Sequence, residues 1–155
     1  MKIDISILDP ASISDLYALM EVFEDVFETE SGQKPSSDHL IKLLNQEGFI
    51  TIVAKIEGRV VGGLTLYVLD QYISEKPLAY LYDFAVLTQF QRKGIGSRLI
   101  DFTKSYCRKQ GFEELYVQVD KVDLFAIEFY RSTNPSSEDR VIQFSYHLNQ
   151  NETSG

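Results

Sequence analysis

The sequence predicts an α/β fold in which helices cover both faces of one mixed central sheet. Two runs rich in β-branched and aromatic residues flank a Glu57-Gly58 turn, which predicts an antiparallel hairpin. Residues 78–119 then follow the order strand, helix, strand, which is typical of a parallel pair joined by a crossover helix. One chain therefore contains both kinds of pairing, and a mixed sheet follows.

The first half of the chain is predicted to form a strand, two helices and the hairpin. Apolar and polar residues alternate at period two before Asp9-Pro10, which predicts the opening strand. Apolar residues then recur at spacings of three and four, the pattern of an amphipathic helix, and a shorter helix begins after Pro35. The predicted ranges are 2–8 for the first strand, 14–27 for the first helix, and 49–54 and 60–69 for the hairpin strands.

The second half is predicted to continue with a strand, a glycine turn and a long helix, then a strand, a helix and a final strand. The predicted ranges are 78–87, a helix from the turn to Gln110, 113–119, 124–131 and 140–148. At 155 residues the chain suits one domain. We assign residues 1–148 to it and expect the tail, residues 149–155, to be disordered.

The charge of the chain argues against nucleic acid as a partner. Asp and Glu outnumber Lys and Arg by 23 to 15, a net charge of −8, which repels phosphate backbones and attracts cationic small molecules. Solubility alone is an alternative explanation of an acidic surface. The first helix and the segment after it concentrate this charge, with Glu21, Glu24, Asp25, Glu28 and Glu30.

Several classes of protein are disfavoured by what the sequence lacks. The single cysteine, Cys107, excludes an internal disulfide, and the distant His39 and His147 do not have the spacing of zinc ligands. We therefore expect no metal site. No apolar run has the length of a membrane span, and the first residues do not resemble a secretory signal, so we expect a cytoplasmic protein without membrane contact.

The glycine turn is the motif that carries most chemical information. Gln91-x-x-Gly94-x-Gly96 stands between a strand and a helix, where unpaired N–H groups at a helix start can hold a pyrophosphate. The residues that follow, Ser97-Arg98, match neither a Walker loop nor a dinucleotide turn, so ATP and NAD are disfavoured. The predicted contacts are Gln91, Arg92, Lys93, Gly94, Ile95, Gly96 and Ser97.

With these elements in place, the chain resembles the GNAT superfamily of acetyl-CoA-dependent N-acetyltransferases. Their pyrophosphate signature, Gln/Arg-x-x-Gly-x-Gly/Ala, is matched by QRKGIG. Within the superfamily, the segments PSSDHLIKLL, GRVVGGLTLYVLDQY, LYDFAV and LYVQVD look like the type I aminoglycoside 3-N-acetyltransferases, which are antibiotic-resistance enzymes. The resemblance implies acetyl-CoA as cofactor, a cationic aminoglycoside as substrate and a homodimer, with Phe144 and Tyr146 of the last strand as the suspected contact.

Asp83 is the candidate general base. It lies in an apolar strand directly before the glycine turn, where a carboxylate is costly unless it has a partner or a task. An acceptor amine is mostly protonated at neutral pH, so a nearby carboxylate can remove its proton and hold its cation. A structural carboxylate paired with arginine or bonded to backbone N–H groups remains the alternative.

Further roles are implied by the resemblance. A bulge would splay the strand before the turn, so that the backbone of Phe84, Ala85 and Val86 pairs with the pantetheine arm. The Val86 N–H would then donate to the thioester carbonyl oxygen. Tyr130 would protonate the departing thiolate, although it also belongs to an aromatic stripe at helical spacing that is equally typical of a core.

Acidic residues are the candidates for binding the acceptor. Asp120 and Asp123 precede the last helix, where either can cap the helix or bind ammonium groups, with Asp123 closer to the first turn. The predicted set is Glu24, Asp25, Glu28, Asp83, Asp120 and Asp123. Two alternatives remain open: an acetyltransferase of a polyamine or a protein amine, and an acyl-CoA-binding module without turnover.

Overall fold

The computed structural model describes residues 1–29 and 32–149. Its elements follow the predicted order as far as the last helix. They are β1 (Asp4–Ile7), α1 (Ile13–Phe27), α2 (Ser37–Leu44), β2 (Phe49–Ile56), β3 (Arg59–Leu69), β4 (Leu78–Val86), α3 (Ile95–Lys109), β5 (Glu114–Val117) and α4 (Leu124–Ser132), with short 3-10 helices at Pro10–Ser12 and Thr88–Phe90.

The sheet is mixed, as the sequence predicts. Its five strands lie in the order β1-β2-β3-β4-β5. The first four pair antiparallel, and β5 pairs parallel with β4 because α3 returns the chain to the same end of the sheet. The mixed-sheet fold class is therefore confirmed.

The core lies around β2 and β3. Both strands are buried without a break, over residues 49–54 and 60–66, which requires cover on both faces of the sheet. Helices α1 and α3 supply it, since each packs on β2, β3 and β4. At Gly63 an added Cβ would lie 2.8 Å from the Leu19 side chain and 2.5 Å from the Ile52 carbonyl oxygen, so α1 approaches the sheet only because this residue is glycine.

Strand β4 changes partners along its length, and this change positions the site. Its pairing with β5 ends at Leu81, whereas its pairing with β3 continues to Val86. The register against β3 shifts between Leu64 and Leu66, so that Tyr82 and Asp83 together oppose Thr65. The bulge and the splaying that the resemblance implies are both present. Residues 82–86 therefore have an edge that β5 does not cover.

The prediction of a last strand at residues 140–148 is wrong. Residues 140–148 form no strand, and the chain there is exposed along its whole length. The segment keeps the strand-like alternation that prompted the prediction, but it pairs with none of the five strands, and a strand requires a neighbour to bond. Of the predicted tail, Asn149 is described as exposed, and residues 150–155 lie outside the described range.

Among the described residues, no helix is both long enough and apolar enough to cross a bilayer.

Candidate active site

A cleft of about 530 Å³ lies where β4, the glycine turn and α4 meet. Its wall is formed by the end of α1, the end of β4 that β5 does not cover, the glycine turn and α4. The lining residues are Val26, Phe27, Phe84, Ala85, Val86, Thr88, Gln91, Arg92, Gly94, Gly96, Ser97, Asp123, Phe125, Ala126, Phe129 and Tyr130. Eight of the predicted coenzyme contacts are in this set, whereas the side chains of Lys93 and Ile95 are not.

The uncovered end of β4 points backbone donors into the cleft. The Leu87 N–H donates to the Val61 carbonyl at 2.8 Å, on the β3 side. Because alternate residues of an antiparallel strand direct their backbone groups to opposite sides, the N–H groups of Phe84 and Val86 point away from β3. The backbone groups of Ala85 point toward β3, so Ala85 contributes to the cleft only as part of its wall.

The glycine turn presents a helix start to the same cleft. Gly94 has a φ of 83° and forms the N-cap of α3, and an added Cβ there would meet nothing within 4 Å. Its requirement for glycine is therefore the left-handed backbone conformation. The first N–H groups of the helix, from Ile95 to Ser97, have no carbonyl one turn earlier to accept from them. Ile95 itself is buried, so it can meet a ligand only through its backbone.

Gln91 and Gly96, two of the predicted coenzyme contacts, also have structural roles that were not predicted from the sequence. The Gln91 side-chain amide donates to the Val86 carbonyl at 2.9 Å and so ties the turn to the end of β4. At Gly96, an added Cβ would lie 3.0 Å from the Phe129 ring and 3.4 Å from the Phe84 ring. Glycine at this position lets the first turn of α3 touch the aromatic wall of the cleft.

Tyr130 lies inside this aromatic wall. Its ring is 6.0 Å from that of Phe84 and 5.1 Å from that of Phe129. Burial raises the pKa of the Tyr130 phenol well above its ordinary value, and the Asp123 carboxylate raises it further. The phenol is therefore protonated at neutral pH. Tyr130 both packs in the stripe that the sequence suggested and lines the cleft.

Asp83 does not line the cleft itself; it lies on the bulge of β4, directly before Phe84, which does. Its N–H donates to the Thr65 hydroxyl at 3.2 Å, and the residue is half-buried. Burial raises the pKa of its carboxyl above the ordinary value. Among the residues that the structure describes, no lysine or arginine lies within ion-pair distance of Asp83. The arginine partner expected of a structural carboxylate is thus not found there.

An aromatic row next to Asp83 was missed by the sequence analysis. It crosses the sheet from β2 to β5 with ring centroids 4.8–5.8 Å apart, and it consists of Phe49, Tyr67, Tyr82, Tyr80 and Tyr116. Burial raises the pKa of Tyr67, and the neighbouring Tyr82 and Asp83 raise it further. The row becomes visible only from the register, because its members come from four strands.

The predicted acidic acceptor residues lie in different places. Asp123 accepts from the Ala126 N–H at 3.1 Å, which confirms that it caps α4, and it also lines the cleft. Asp120 accepts from the Val122 N–H at 3.1 Å in the preceding loop. Neither Glu24 nor Glu28 lines the cleft, which α1 meets through Val26 and Phe27.

Asp25 belongs to a second cleft. This cleft, of about 490 Å³, lies between α1 and the hairpin turn and also contains Asp15, Glu21 and Arg59. The predicted contact of Asp25 with the acceptor would therefore require an acceptor long enough to reach past α1. Glu30, the last of the acidic residues noted in the sequence, lies outside the described range.

Cys107 is buried in α3, and burial raises the pKa of its thiol to about 11, so it is a packed side chain. Over residues 1–29 and 32–149, no three histidine, cysteine or carboxylate side chains are grouped as metal ligands.

Comparison with known proteins agrees with this geometry. The family model described as acetyltransferase (GNAT) family matches residues 16–133. An aminoglycoside acetyltransferase from an uncultured soil metagenomic sample, solved in complex with trehalose, is 50% identical with a TM-score of 0.92, over 94% of this chain and 96% of that one. Its complex with sisomicin gives 49% identity over the same shares of the two chains, and again a TM-score of 0.92.

More distant structures share the fold. AAC(6′)-Iy in complex with a bisubstrate analogue of CoA and acetylneamine is 16% identical with a TM-score of 0.76, over 96% of this chain and the whole of that one. A search of curated protein sequences finds no match. The family match covers most of the chain, and the chain therefore belongs to the acetyltransferase (GNAT) family, as an acetyl-CoA-dependent N-acetyltransferase.

Proposed function

We propose that this enzyme acetylates an amino group of an aminoglycoside, and that the group is the 3-amino group. The observation that carries the proposal is the likeness to an aminoglycoside acetyltransferase solved with sisomicin, at 49% identity over nearly the whole of both chains. The position of acetylation rests on the resemblance of the sequence segments to the 3-N-acetyltransferases.

The residues present fit the coenzyme. Acetyl-CoA supplies an acetyl group already activated as a thioester. The turn at Arg92, Gly94 and Gly96 and the first N–H groups of α3 are suited to its pyrophosphate, because a helix start attracts anions. The outward N–H groups of Phe84 and Val86 can pair with the pantetheine arm as a further strand would.

Val86 is the candidate oxyanion donor. Its N–H points to the uncovered side of β4. The peptide that follows it is fixed before substrate binds, because Gln91 donates to the Val86 carbonyl at 2.9 Å and the Leu87 N–H donates to the Val61 carbonyl at 2.8 Å. A donor that is already oriented lowers the barrier without reorganisation. This role needs only the backbone, which is why valine suffices.

Asp83 is the candidate base for the acceptor ammonium. Burial raises the pKa of its carboxyl, which makes it a stronger base than an exposed aspartate, and no described cation neutralises it. A proton can pass to it directly or through a water. Tyr130 is the candidate acid, because its phenol is protonated and its ring lies in the wall of the coenzyme cleft.

The acceptor surface suits a molecule with both amines and sugar rings. The aromatic row borders Asp83, and tyrosine rings can stack on the apolar faces of sugar rings while their hydroxyls reach ring hydroxyls. The net charge of −8 favours a polycation at any position on the surface. Both features favour an aminoglycoside over a protein amine.

The proposal is tested by thiol release from acetyl-CoA across a panel of amines. We expect sisomicin to be acetylated with a kcat/KM at least about tenfold above spermidine, a lysine peptide and a peptide with a free N-terminus, a difference of about 1.4 kcal/mol in transition-state binding. NMR of the product then locates the acetyl group. Activity confined to spermidine or to a peptide would contradict the aminoglycoside proposal, and acetylation at another amine would contradict the position alone.

The same measurement tests the other alternative, that the protein binds acyl-CoA without catalysing a reaction. If calorimetry shows that acetyl-CoA binds but no amine in the panel causes thiol release, the protein has kept its coenzyme site and lost its acetyltransferase activity. Two features favour turnover, since a binding module has no use for either: among the described residues no cation pairs with the Asp83 carboxylate, and the partly buried Tyr130 lines the cleft.

A further inference from the structure

The uncovered end of β4 is held by a side chain at each of its two ends. At the far end, the Gln91 amide donates to the Val86 carbonyl at 2.9 Å. At the near end, the Asp83 N–H donates to the Thr65 hydroxyl at 3.2 Å. Between these contacts β4 pairs with β3 on one side and has lost β5 on the other. The two side chains therefore restrict the stretch of backbone that carries the candidate base.

The Thr65 contact lies at the bulge itself. Tyr82 and Asp83 together oppose Thr65, so the regular pairing of β3 with β4 is interrupted there. A bulge bends its strand and re-aims the side chains that it carries. Most hydrogen bonds of a sheet join two backbone groups, whereas here a side chain of one strand accepts from the backbone of the next. The hydroxyl thus adds a contact that the regular ladder does not supply.

Thr65 is suited to hold this contact in one geometry. It lies on the face of the sheet that α1 covers, because Gly63, where α1 approaches the sheet, is two residues earlier in the same strand. Only 7% of Thr65 is exposed, and its β-branched side chain has few rotamers in a strand. A buried hydroxyl is costly unless it forms a hydrogen bond, and Thr65 forms one with the residue that carries the candidate base.

A second buried threonine lies directly beside Thr65. The register pairs Thr51 of β2 with Thr65 of β3, so the two side chains share one face of the sheet. Both are buried. Within residues 1–29 and 32–149, the Thr51 hydroxyl has no hydrogen-bond partner. Two equivalent side chains in neighbouring positions thus differ in one respect, which is that only the Thr65 hydroxyl is bonded to the bulge.

We propose that Thr65 is a positioning residue for acetyl transfer, whose hydroxyl fixes the bulge so that the Asp83 carboxylate is aimed at the acceptor amine. The inference rests on the role proposed above for Asp83. Thr65 does not line the coenzyme cleft, and the start of α3 holds the other end of that cleft without it. The loss of its hydroxyl should therefore affect the reaction with the acceptor and leave the binding of acetyl-CoA unchanged.

The test is thiol release from acetyl-CoA with the amine of the panel that reacts fastest, so that the result does not depend on the acceptor being an aminoglycoside. Thr65→Val keeps the shape of the side chain and removes the hydroxyl, and we expect kcat/KM for the acceptor to fall about tenfold with the KM for acetyl-CoA unchanged. Thr65→Ser keeps the hydroxyl and should retain most of the activity. Thr51→Val makes the same change at the paired position and should retain wild-type activity. Circular dichroism and urea unfolding check that each variant is folded.

A double-mutant cycle separates positioning from support of the fold. Thr65→Val should have little further effect in the Asp83→Asn background, because the group that the hydroxyl positions is already lost. An equal loss in both backgrounds, or equal losses for Thr65→Ser and Thr65→Val, would overturn the inference and assign Thr65 to packing. Wild-type activity in Thr65→Val beside an impaired Asp83→Asn would overturn the inference alone. Wild-type activity in Asp83→Asn would overturn both the inference and the proposed base.

Discussion

The two sides of strand β4 are built on different principles. On the coenzyme side most of the proposed contacts are backbone groups, at Val86 and at the start of α3, and Gln91 holds the Val86 carbonyl in place. The Tyr130 hydroxyl is the one side-chain group that we propose there. On the acceptor side the proposed contacts are side chains, Asp83 and the aromatic row. A backbone site tolerates many sequences provided that the conformation is kept, whereas a side-chain site depends on particular residues.

The largest effect is expected on the acceptor side. Asp83→Asn keeps the shape of the residue but removes the proposed base, so we expect kcat/KM for the acceptor to fall about 10²- to 10⁴-fold while the KM for acetyl-CoA changes little. Steady-state thiol release measures both. Asp101→Asn is the matched control, since it removes one carboxylate from the exposed face of α3, and it should retain wild-type activity. Unchanged turnover in Asp83→Asn would show that this carboxylate is structural.

A smaller effect is expected from Tyr130→Phe, because we propose that the Tyr130 hydroxyl protonates the departing thiolate. A thiol with an ordinary pKa of about 8.5 leaves more readily than an alkoxide, so loss of the proton donor should lower kcat only about tenfold. Tyr72→Phe removes a hydroxyl from a fully exposed ring and is the control. Equal kcat values for the two variants would assign Tyr130 to packing alone.

The coenzyme side is tested by its backbone conformation. Gly94→Ala places a Cβ at a φ of 83°, with a strain of about 1–2 kcal/mol, and we expect the KM for acetyl-CoA to rise a few-fold. Gly111→Ala introduces the same strain at a φ of 80° beyond the other end of α3, where an added Cβ also meets nothing within 4 Å. The two variants should lose similar stability in denaturant, and only Gly94→Ala should weaken the binding of the coenzyme. A similar rise in KM for both would mean that general destabilisation is responsible.

The contrast also explains which parts could be predicted from the sequence. The order of elements up to α4 and the glycine turn follow from local patterns, because glycine at a positive φ and a capped helix are decided within a few residues. The aromatic row could not be predicted, since it depends on the register of four strands. The prediction for residues 140–148 was wrong for a related reason: alternation identifies a strand, but only a neighbour completes it.

The smallest expected effect is on stability, and it has a defined sign. Burial raises the pKa of Asp83 in the folded chain above its value in the unfolded chain, so folding favours the protonated carboxyl. The stability from this group is fully present below the unfolded pKa and is lost as the pH rises through the folded pKa. The amide that replaces the carboxyl in Asp83→Asn cannot ionise, so this variant should gain stability relative to the wild type as the pH rises from below the ordinary aspartate pKa of about 3.9 through the raised pKa of the folded state.

Urea unfolding across this pH range measures the difference. The half-exposed position of Asp83 keeps the effect small, because solvent screens the charge. Asp101→Asn again controls for the loss of one negative charge from an acidic protein. If the stability of Asp83→Asn relative to the wild type instead fell as the pH rose, the ionised carboxylate would be the form that the fold stabilises. Asp83 would then have a cationic or hydrogen-bonding partner, and the acceptor side would resemble an ordinary structural ion pair more than a site prepared for a base.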